Sequence, residues 1–482
     1  MILGKHFVIQ ALTHAIFYLE KNEIKPDANW QAWETGKEVN VSFDSRTVQP
    51  GDFFIALKGP SFDGHNFVAQ ALAKGACGAL IHKKLADCVP LKDQTLIDEK
   101  LFIVVPDTLK AFVDLAKAWR KTLTCPVIGI TGSIGKTSTK EMLRSIVQQA
   151  GLDTYVSFKN YNNIFGLCYN ILRIPAKSKA VILEVGINEK GEMQELADIL
   201  RPTIGLITCI AHSHLAGFNN SMHVLAEEKR RLFTYFTPQD IGIVFGDQPQ
   251  LTNLCYPHPV SRFGFRAKNY VQARKITIIA HPDGTLRTQF LLKWYGNRAP
   301  VSLKTNHAGF VQNALAASTV AYFLHIPFAK VVQGLEKYEG VESRFELKKL
   351  TSGKGIIFDD CYNANPESMK AALQAFAQVP QKGIKVAILG DMLELGNKEI
   401  YWHRHIGRFI SKYIEIDRII LVGALSQSMT RTLPENIGVD VVNNWEEAKK
   451  QLDIILSGQD AMVLVKASHG MHLQKLVDAV TS

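Results

Sequence analysis

The sequence predicts an α/β protein of three domains: a small N-terminal α/β domain, a central parallel sheet with a β-hairpin extension, and a C-terminal doubly wound domain. Two observations carry this expectation. Short apolar runs alternate with helical patterns over most of the 482 residues, and one apolar run is followed at once by a glycine loop and an amphipathic helix. We place the domains at residues 1–110, 111–335 and 336–482.

The N-terminal domain is expected to combine three short strands with a helix. The helical pattern covers residues near Phe67–Lys74. The apolar runs typical of strands are Phe53–Leu57, Ala79–Ile81 and Leu101–Val105.

The central domain begins with the most informative segment, the apolar run Val127–Thr131 followed by Gly132–Lys136. Small residues allow backbone N–H groups to surround an oxyanion, and the helix N-terminus adds partial positive charge. Lys136 can reach the β- and γ-phosphates of a nucleotide, and the Thr137 hydroxyl suits Mg²⁺. Ile130 occupies the place of the first glycine in the strict pattern, but the strand–loop–helix context favours a P-loop NTPase-like domain over an ordinary glycine-rich turn.

The remainder of the central domain is predicted to alternate strands and helices. Residues 274–303 are expected to form an antiparallel hairpin around Asp283–Gly284, and helical patterns return over 308–336. The predicted buried parallel strands are Val181–Val185, Ile204–Ile210 and Ile241–Phe245.

Residues 336–350 are charged and lack a clear period, which favours a linker. Beyond them a Rossmann-like domain is expected, although no G-x-G-x-x-G motif supports a dinucleotide site there. Its predicted strands are Gly355–Phe358, Val386–Leu389, Ile419–Val422 and Met462–Val465.

Composition and charge exclude several classes of protein. No signal peptide or membrane-spanning run is visible, which predicts a cytoplasmic protein without membrane insertion. The seven cysteines form no C-x-x-C pair and are expected to be reduced. The formal net charge is +10, but the basic residues are spread out and no nucleic-acid motif occurs, so no nucleic-acid partner is expected.

Three clusters could carry chemistry beside the phosphate loop. Glu184 ends a predicted strand, where a carboxylate can hold a metal or simply face solvent. His212 and His214 follow another strand, where a histidine can bind a second Mg²⁺, act as acid or base, or be structural. Lys229, on the next helix, is more typical of a solvated surface lysine. The loop Asp359–Pro366 suits ribose, base or carboxylate recognition, or an Asx-turn and helix cap.

The order of motifs resembles the Mur ligase superfamily over nearly the whole chain. No single short motif decides the resemblance; their order over three domains does. The motifs are Asp44–Arg46, Gly51–Phe54, Asp63–His65, Thr131–Ser138, Asn160–Gly166, Glu184–Gly186, His214–Leu215, Lys229, Asp360–Pro366, Leu389–Gly396, His403 and Lys466–Ser468.

The resemblance implies roles residue by residue. For catalysis it implies Lys136, His214, Lys229 and Arg344, and for metal binding Thr137, Glu184 and His214. For ATP binding it implies Thr131, Gly132, Ser133, Ile134, Gly135, Lys136, Thr137, Ser138, Asn313, Arg344, Asp360, Tyr362 and Asn363. For substrate binding it implies Ser45, Arg46, Asp63, Gly64, His65, Asn162, Asn163, Asn365, Glu394 and His403.

The same resemblance implies an ATP- and Mg²⁺-dependent amide ligase. It would join D-alanyl-D-alanine to UDP-N-acetylmuramoyl-tripeptide through an acyl phosphate, giving UDP-MurNAc-pentapeptide, ADP and phosphate for peptidoglycan synthesis. Lys229 lies where superfamily members can carry a metal-binding lysine carbamate, and Arg344 resembles a residue that approaches the phosphates when domains close. A monomer with these small-molecule substrates is expected.

The chain departs from the family pattern at several positions. Gly309 and Phe310 replace a His-Asn pair, Phe245 an asparagine, Arg231 a glutamate, Ala467 a glycine and His469 an arginine. Two other functions therefore stay open. One is another amide ligase, which adds either the third amino acid of the peptide or a glutamate to folate. The Tyr362–Pro366 loop argues against both of these enzymes. The other is a nucleotide-gated regulatory protein on a degenerate ligase scaffold.

Overall fold

The computed structural model describes residues 5–19, 22–25, 39–59, 62–82, 85–88, 98–158, 160–213, 215–281, 285–353, 355–380 and 383–481. The chain divides into two compact units. The first comprises Met1–Val127, Tyr155–Val185 and Glu195–Arg201, and the second comprises Ile128–Thr154, Gly186–Gln194 and Pro202–Ser482.

The described residues form strands and helices that alternate over most of the chain. The strands are β1 (Ile16–Leu19), β2 (Asn22–Ile24), β3 (Val41–Ser42), β4 (Phe53–Ile55), β5 (Gly78–Ile81), β6 (Leu101–Val104), β7 (Val127–Thr131), β8 (Thr154–Val156), β9 (Ala180–Glu184), β10 (Ile204–Ile207), β11 (Ile241–Phe245), β12 (Val260–Gly264), β13 (Val271–Ala280), β14 (Leu286–Trp294), β15 (Asn297–Leu303), β16 (Glu346–Lys349), β17 (Gly355–Asp360), β18 (Ile384–Gly390), β19 (Arg418–Val422), β20 (Gly438–Val442) and β21 (Ala461–Lys466). The helices are α1 (Lys5–Ala11), α2 (Val68–Ala73), α3 (Leu85–Cys88), α4 (Thr108–Thr122), α5 (Lys136–Gln149), α6 (Ile164–Leu172), α7 (Glu192–Leu200), α8 (Met222–Arg230), α9 (Pro249–Thr252), α10 (Gly309–Phe323), α11 (Phe328–Lys337), α12 (Pro366–Ala377), α13 (Glu399–Tyr413), α14 (Trp445–Gly458) and α15 (Gln474–Val480).

The first unit is built on a six-stranded sheet in the order β2-β1-β6-β5-β4-β3. Strands β3 to β6 run parallel, whereas β1 pairs antiparallel with β2 and β6. The three strands that the sequence predicts here are confirmed as β4, β5 and β6. Strands β4 and β5 are buried along their whole length, because both faces of a parallel sheet are covered.

The second unit contains a mixed sheet in which the strands follow the order β15-β14-β13-β12-β11-β10-β7. Strands β7, β10, β11 and β12 are parallel, and β13 to β15 form an antiparallel extension. The predicted hairpin is confirmed as β13 and β14, although its turn at Asp283–Gly284 lies outside the described residues. Sequence reasoning missed β15, because Pro300 lowers its strand character; an edge strand tolerates proline.

Helix α5 buries its apolar face, as the sequence predicts, and it contacts helices α10 and α11. Met142, Leu143, Ile146 and Val147 are all buried. These apolar residues recur every three or four positions, which places them on one side of the helix. Burial of that side holds the first turn of α5 at the end of β7.

The second unit also contains the C-terminal sheet, in the order β16-β17-β21-β18-β19-β20. The four predicted strands are confirmed as β17, β18, β19 and β21, which run parallel. The predicted linker over 336–350 is wrong at Glu346–Lys349, which form β16 antiparallel to β17. This strand lies at the sheet edge, where charged residues are common, so it shows no continuous apolar run.

Both predicted domain boundaries fall within helices, at residue 110 in α4 and residue 335 in α11. The division into three domains at those residues stays a prediction. Separately, none of the helices in the part of the chain that the structure describes has the length and apolar character needed to cross a bilayer.

Candidate active site

The loop between β7 and α5 has the backbone that its glycines predict. Gly132 has φ +146° and Gly135 has φ +83°, conformations that glycine adopts without steric strain. A Cβ atom at position 132 would lie 1.9 Å from Thr208 Oγ1, and one at position 135 would lie 2.3 Å from Asn313 Oδ1. Both positions therefore require glycine.

Two hydroxyl groups, one at the end of β7 and one in this loop, are buried without a hydrogen-bond partner in the part of the chain that the structure describes. Among the described residues, Thr131 Oγ1 and Ser133 Oγ make no hydrogen bond, which is costly unless a ligand supplies one. Lys136 Nζ donates to Gly132 O over 2.9 Å, so its ammonium group lies against the loop. These hydroxyls, a lysine and a helix N-terminus in one loop fit a phosphate group.

The segment after β10 is tied to the phosphate loop. Thr208 Oγ1 donates to Ile134 O over 2.5 Å. In return, the backbone N–H of Ser133 donates to Cys209 O over 2.9 Å. Two hydrogen bonds of opposite direction therefore hold the two segments together.

Gln248 fixes the next residue of the same segment. Its Nε2 donates to Ile210 O over 2.7 Å, and its Oε1 accepts from Ile210 N over 2.8 Å. Sequence reasoning missed both Gln248 and Thr208. The rule that ligands lie beyond the carboxyl ends of parallel strands, which singled out Glu184, would also have indicated Thr208, because it follows β10 directly.

Helix α10 contributes two amide side chains to the same region. Asn313 lies beside Gly135, and Gln312 Nε2 donates to Thr208 O over 3.0 Å. Phe310, a departure from the family pattern, is buried and packs against His307 with ring centroids 5.3 Å apart. Asn313 thus adjoins the phosphate loop, whereas Phe310 belongs to the core.

Lys229 is buried on helix α8, so the expectation of a solvated surface lysine is wrong. Burial, together with the positive charge of Lys136, lowers the pKa of Lys229 to about 7. An amine with this pKa is substantially neutral near neutral pH and can then act as a nucleophile. No local pattern indicates this burial, because a lysine in a helical pattern usually faces water.

The carboxylate next to Lys229 organises its surroundings. Glu228 is buried and accepts hydrogen bonds from Gly191 N over 2.8 Å and Met193 N over 3.2 Å. Arg231 Nε lies 3.3 Å from Glu228 Oε2, and its guanidinium also donates to Gln194 Oε1 over 2.6 Å. The arginine that replaces a family glutamate is therefore held by an acid and an amide.

Glu184 is buried at the end of β9 in the first unit, which rules out an acid that faces solvent. Asn162 Nδ2 donates to Glu184 Oε1 over 2.8 Å, so two predicted site residues are in contact. Asn163 instead caps helix α6, where its side-chain oxygen accepts from Gly166 N over 3.0 Å. A buried carboxylate held by an amide is suited to a divalent cation.

The turn Asp63–His65, also in the first unit, satisfies its own polar groups. His65 Nδ1 lies 2.6 Å from Asp63 Oδ1, and His65 Nε2 accepts from His82 N over 3.1 Å. A Cβ atom at Gly64 would lie 2.6 Å from Leu57 O. Both nitrogens of the buried His65 ring therefore support the fold.

Ser45 and Arg46 differ in their exposure. Ser45 is buried and its Oγ donates to Gln70 Oε1 over 2.8 Å. Arg46 pairs with Asp44 through two N–H groups, at 2.9 and 2.7 Å, yet its side chain is 83% exposed. The guanidinium of Arg46 is thus presented at the surface in a fixed orientation.

Four predicted nucleotide-binding residues lie together in the C-terminal part of the second unit. Lys466 Nζ donates to Asp360 Oδ2 over 2.7 Å and to Asn363 O over 3.0 Å. The guanidinium carbon of Arg344 lies 3.8 Å from the centre of the Tyr362 ring, a cation–π contact. This cluster combines a planar stack with a neutralised carboxylate.

The other predicted residues of this region support the backbone. Asn365 caps α12 by accepting from Ser368 N over 2.9 Å, which confirms the helix-cap alternative for this loop. His403 is wholly buried; its Nε2 accepts from Met392 N over 2.9 Å, and burial lowers its pKa. Glu394, by contrast, is exposed.

His214 lies outside the described residues, so its implied roles stay predictions. Its neighbour His212 bonds Glu367 through the ring Nδ1 and, over 3.3 Å, through the backbone N–H. Burial alone would raise the pKa of Glu367, but the hydrogen bond and charge of His212 bring it below its ordinary value. Sequence reasoning missed Glu367, because an acid in the first turn of a helix is a common capping residue.

No three His, Cys, Asp or Glu side chains within the described ranges gather closely enough to hold a metal ion. Mg²⁺ commonly takes only one or two protein carboxylates and completes its shell with water and phosphate oxygens. The hydroxyl groups at the phosphate loop suit an ion that also binds phosphate oxygens, so the loop residues fit Mg²⁺ bound together with a nucleotide. Glu184, within the first unit, is a buried carboxylate of the kind that Mg²⁺ takes.

A phosphate loop with buried hydroxyls, on a parallel sheet followed in the chain by a doubly wound sheet, defines a nucleotide-binding α/β protein. The chain belongs to the Mur ligase family. The family model for the Mur ligase middle domain matches residues 130–321, that for the Mur ligase, glutamate ligase domain matches residues 343–469, and that for the Mur ligase family, catalytic domain matches residues 39–120.

Relatives with established names cover nearly the whole chain. UDP-N-acetylmuramoyl-tripeptide–D-alanyl-D-alanine ligase of Bacillus subtilis (strain 168) is 32% identical and covers 91% of this chain and 92% of its own length. The enzyme of the same name from Escherichia coli (strain K12) is 30% identical and covers 91% of this chain and 93% of its own length. A crystal structure of MurF from Acinetobacter baumannii superposes with a TM-score of 0.81 at 27% identity, covering 99% of this chain and 98% of that one.

Proposed function

We propose that this chain is an ATP-dependent ligase that joins D-alanyl-D-alanine to UDP-N-acetylmuramoyl-tripeptide. The observation that carries the proposal is the phosphate loop, where the buried hydroxyls of Thr131 and Ser133 lack a partner in the described chain beside Lys136. This loop occurs in a member of the Mur ligase family. The Bacillus subtilis and Escherichia coli relatives match over nine-tenths of their length, and their names state these substrates.

The chemistry requires activation of a carboxylate, which is a poor electrophile. A carboxylate oxygen of the tripeptide attacks the γ-phosphorus of ATP, and ADP leaves with the electrons of the broken P–O bond. The amine of D-alanyl-D-alanine then attacks the acyl carbon and loses a proton, and phosphate leaves as the amide forms. Phosphoryl transfer of this kind depends mainly on positioning and charge neutralisation.

The phosphate loop would supply both the positioning and the charge neutralisation. Lys136 would neutralise charge on the β- and γ-phosphates, while the loop hydroxyls and the N-terminus of α5 would orient their oxygens. Thr137, Glu184 and His214 would hold Mg²⁺, which neutralises phosphate charge when bound. Lys229, neutral in part because of its lowered pKa, is suited to form the carbamate that superfamily members carry.

The remaining roles divide between nucleotide and peptide. We propose that Asn313 and the Arg344–Tyr362 stack contact the nucleotide, with Asp360 and Asn363 fixed beside them by Lys466. Among the predicted substrate residues, the exposed Arg46 and Glu394 are the best placed for direct contact. The resemblance implies substrate contacts for Ser45, Asp63, Gly64, His65, Asn162, Asn163, Asn365 and His403 as well. A cytoplasmic monomer remains a prediction.

The test is phosphate release by the purified chain. The full reaction contains Mg-ATP, UDP-MurNAc-tripeptide and D-alanyl-D-alanine, and each is omitted in turn. Release that requires all three, with a product of pentapeptide mass, is the expected result. Two matched reactions replace both peptide substrates, one with UDP-MurNAc-dipeptide and diaminopimelate, the other with folate and glutamate. Faster release in either reaction, or release from ATP alone, would overturn the proposal.

A further inference from the structure

The segment Thr208–His212 connects the phosphate loop to the C-terminal sheet domain within the second unit. At its beginning, Thr208 and Cys209 bond the loop residues Ile134 and Ser133. In the middle, Gln248 holds Ile210 at both backbone atoms. The far end of the segment is held by a residue that comes 155 positions later in the chain.

That residue is Glu367, at the second position of helix α12. Both of its carboxylate oxygens are used: Oε2 accepts from the backbone N–H of His212 over 3.3 Å, and Oε1 bonds the His212 ring. The ring is also packed against Trp402, with centroids 4.3 Å apart. Three contacts from the C-terminal domain therefore converge on a single residue beside the phosphate site.

We propose that Glu367 is a positioning residue, which orients the Thr208–His212 segment against the phosphate loop and so couples the C-terminal domain to phosphoryl transfer. The inference rests on the proposed function for its kinetic consequence. Within the described residues, the side-chain hydrogen bonds of Glu367 are made to His212. Glu367 therefore acts through His212, and the segment passes the constraint to Ser133 and Ile134.

An ordinary surface ion pair would not carry this role, because such pairs contribute little. The difference here is that one of the two bonds is made to the backbone, so it fixes the path of the chain and not only a side chain. Losing these hydrogen bonds to a charged group is expected to slow turnover about tenfold to a hundredfold, because the segment that they fix is bonded to the phosphate loop.

The experiment compares Glu367→Ala with a matched control, Glu446→Ala. Glu446 occupies the same second position of helix α14 and is exposed, so its removal reports the loss of a helix-dipole charge alone. Glu367→Gln keeps one acceptor oxygen without the charge. His212→Ala and the double variant His212→Ala/Glu367→Ala complete a cycle.

The expected kinetic result is a fall in kcat of about tenfold or more for Glu367→Ala, with the KM for ATP within about twofold. Glu367→Gln should recover part of the loss. Glu446→Ala should match the parent, and the double variant should be no slower than His212→Ala. Equal rates for Glu367→Ala and Glu446→Ala, or multiplicative losses in the cycle, would overturn the proposal.

Hydrogen exchange separates this proposal from the proposed function. Amides of a peptide covering residues 208–213 should exchange about tenfold faster in Glu367→Ala than in the parent, and at the parent rate in Glu446→Ala. A parent chain without three-component phosphate release would refute the ligase, and faster exchange would still support positioning by Glu367. Unchanged exchange in Glu367→Ala would refute positioning whatever the activity.

Discussion

The phosphate loop Gly132–Lys136 and the turn Asp63–His65 are both short glycine-containing motifs, and sequence reasoning treated both as ligand sites. In the turn, Asp63 and the His82 backbone satisfy the two ring nitrogens of His65. In the loop, the hydroxyls of Thr131 and Ser133 find no partner among the described side chains and backbone. The fold completes the hydrogen bonds of the turn, whereas two hydroxyl groups at the phosphate loop have no partner among the described residues.

Whether buried polar atoms have a hydrogen-bond partner can therefore separate motifs that look alike in sequence. A buried polar group without a partner destabilises the protein, so it persists where a ligand completes it. A motif whose polar atoms bind one another contributes to stability instead. Substitutions in the phosphate loop test that distinction first. Substitutions at His65 of the turn and at His307 test it further.

Lys136→Ala should give the largest effect. Removing the ammonium group leaves the charge on the transferred phosphate without its neutralising partner, and turnover should fall about a thousandfold. The melting temperature should stay within about two degrees of the parent, because the hydrogen bond from Lys136 Nζ to Gly132 O stays within the loop itself. Phosphate release and thermal melting measure the two effects; retained turnover would remove the loop from catalysis.

Gly132→Ala should destabilise the protein more than Gly151→Ala. Both glycines have positive φ. Alanine is strained by about 1 kcal/mol at Gly151, with φ +67°, and by more at Gly132, whose φ of +146° few residues other than glycine adopt. A Cβ atom at position 151 meets nothing within 4 Å, whereas at position 132 it would lie 1.9 Å from Thr208 Oγ1. The clash should raise the loss in the free energy of unfolding to about 3 kcal/mol. Denaturant unfolding measures the loss in the free energy of unfolding for each variant. Equal losses would mean that the Thr208 side chain moves aside without a cost in free energy.

Much of the fold could be predicted because burial leaves a continuous apolar signal. The parallel strands and helix α5 follow from apolar runs and helical spacing, but β15 and β16 are edge strands with proline or charge and carry no such signal. At the site, local motifs located the phosphate loop and Glu184. Glu367, Gln248 and the burial of Lys229 depend on contacts between residues far apart in the chain, which no local pattern encodes.

His65→Ala tests the turn. Losing a buried ring with two hydrogen bonds should lower the free energy of unfolding by about 2–3 kcal/mol. If the ring serves the fold alone, the KM for UDP-MurNAc-tripeptide should change less than about twofold. His14→Ala, at an exposed histidine of the same unit, is the control and should change neither quantity. A tenfold rise in that KM with normal stability would place His65 among the substrate contacts after all.

His307 extends the comparison to pH. Burial lowers the pKa of His307 to about 4, although Asp360 acts in the opposite direction. The unfolded chain takes up a proton near pH 6.5 and the folded chain only near pH 4. The stabilising contribution is therefore complete above pH 6.5 and is lost as the pH falls towards 4. Between pH 7 and pH 5 this loss should amount to about 1–2 kcal/mol.

His307→Asn should remove that loss while keeping an acceptor for the bond from Gly309 N, which His307 Nδ1 now accepts over 3.1 Å. Other histidines with lowered pKa, such as His403, contribute equally to both proteins, so the difference between them isolates position 307. Denaturant unfolding at pH 7 and pH 5 measures it. If both proteins lose the same free energy of unfolding between pH 7 and pH 5, the folded chain protonates His307 as readily as the unfolded chain does. The polar contacts of His307 would then be incomplete, as at the phosphate loop, and not completed by the fold, as at the turn Asp63–His65.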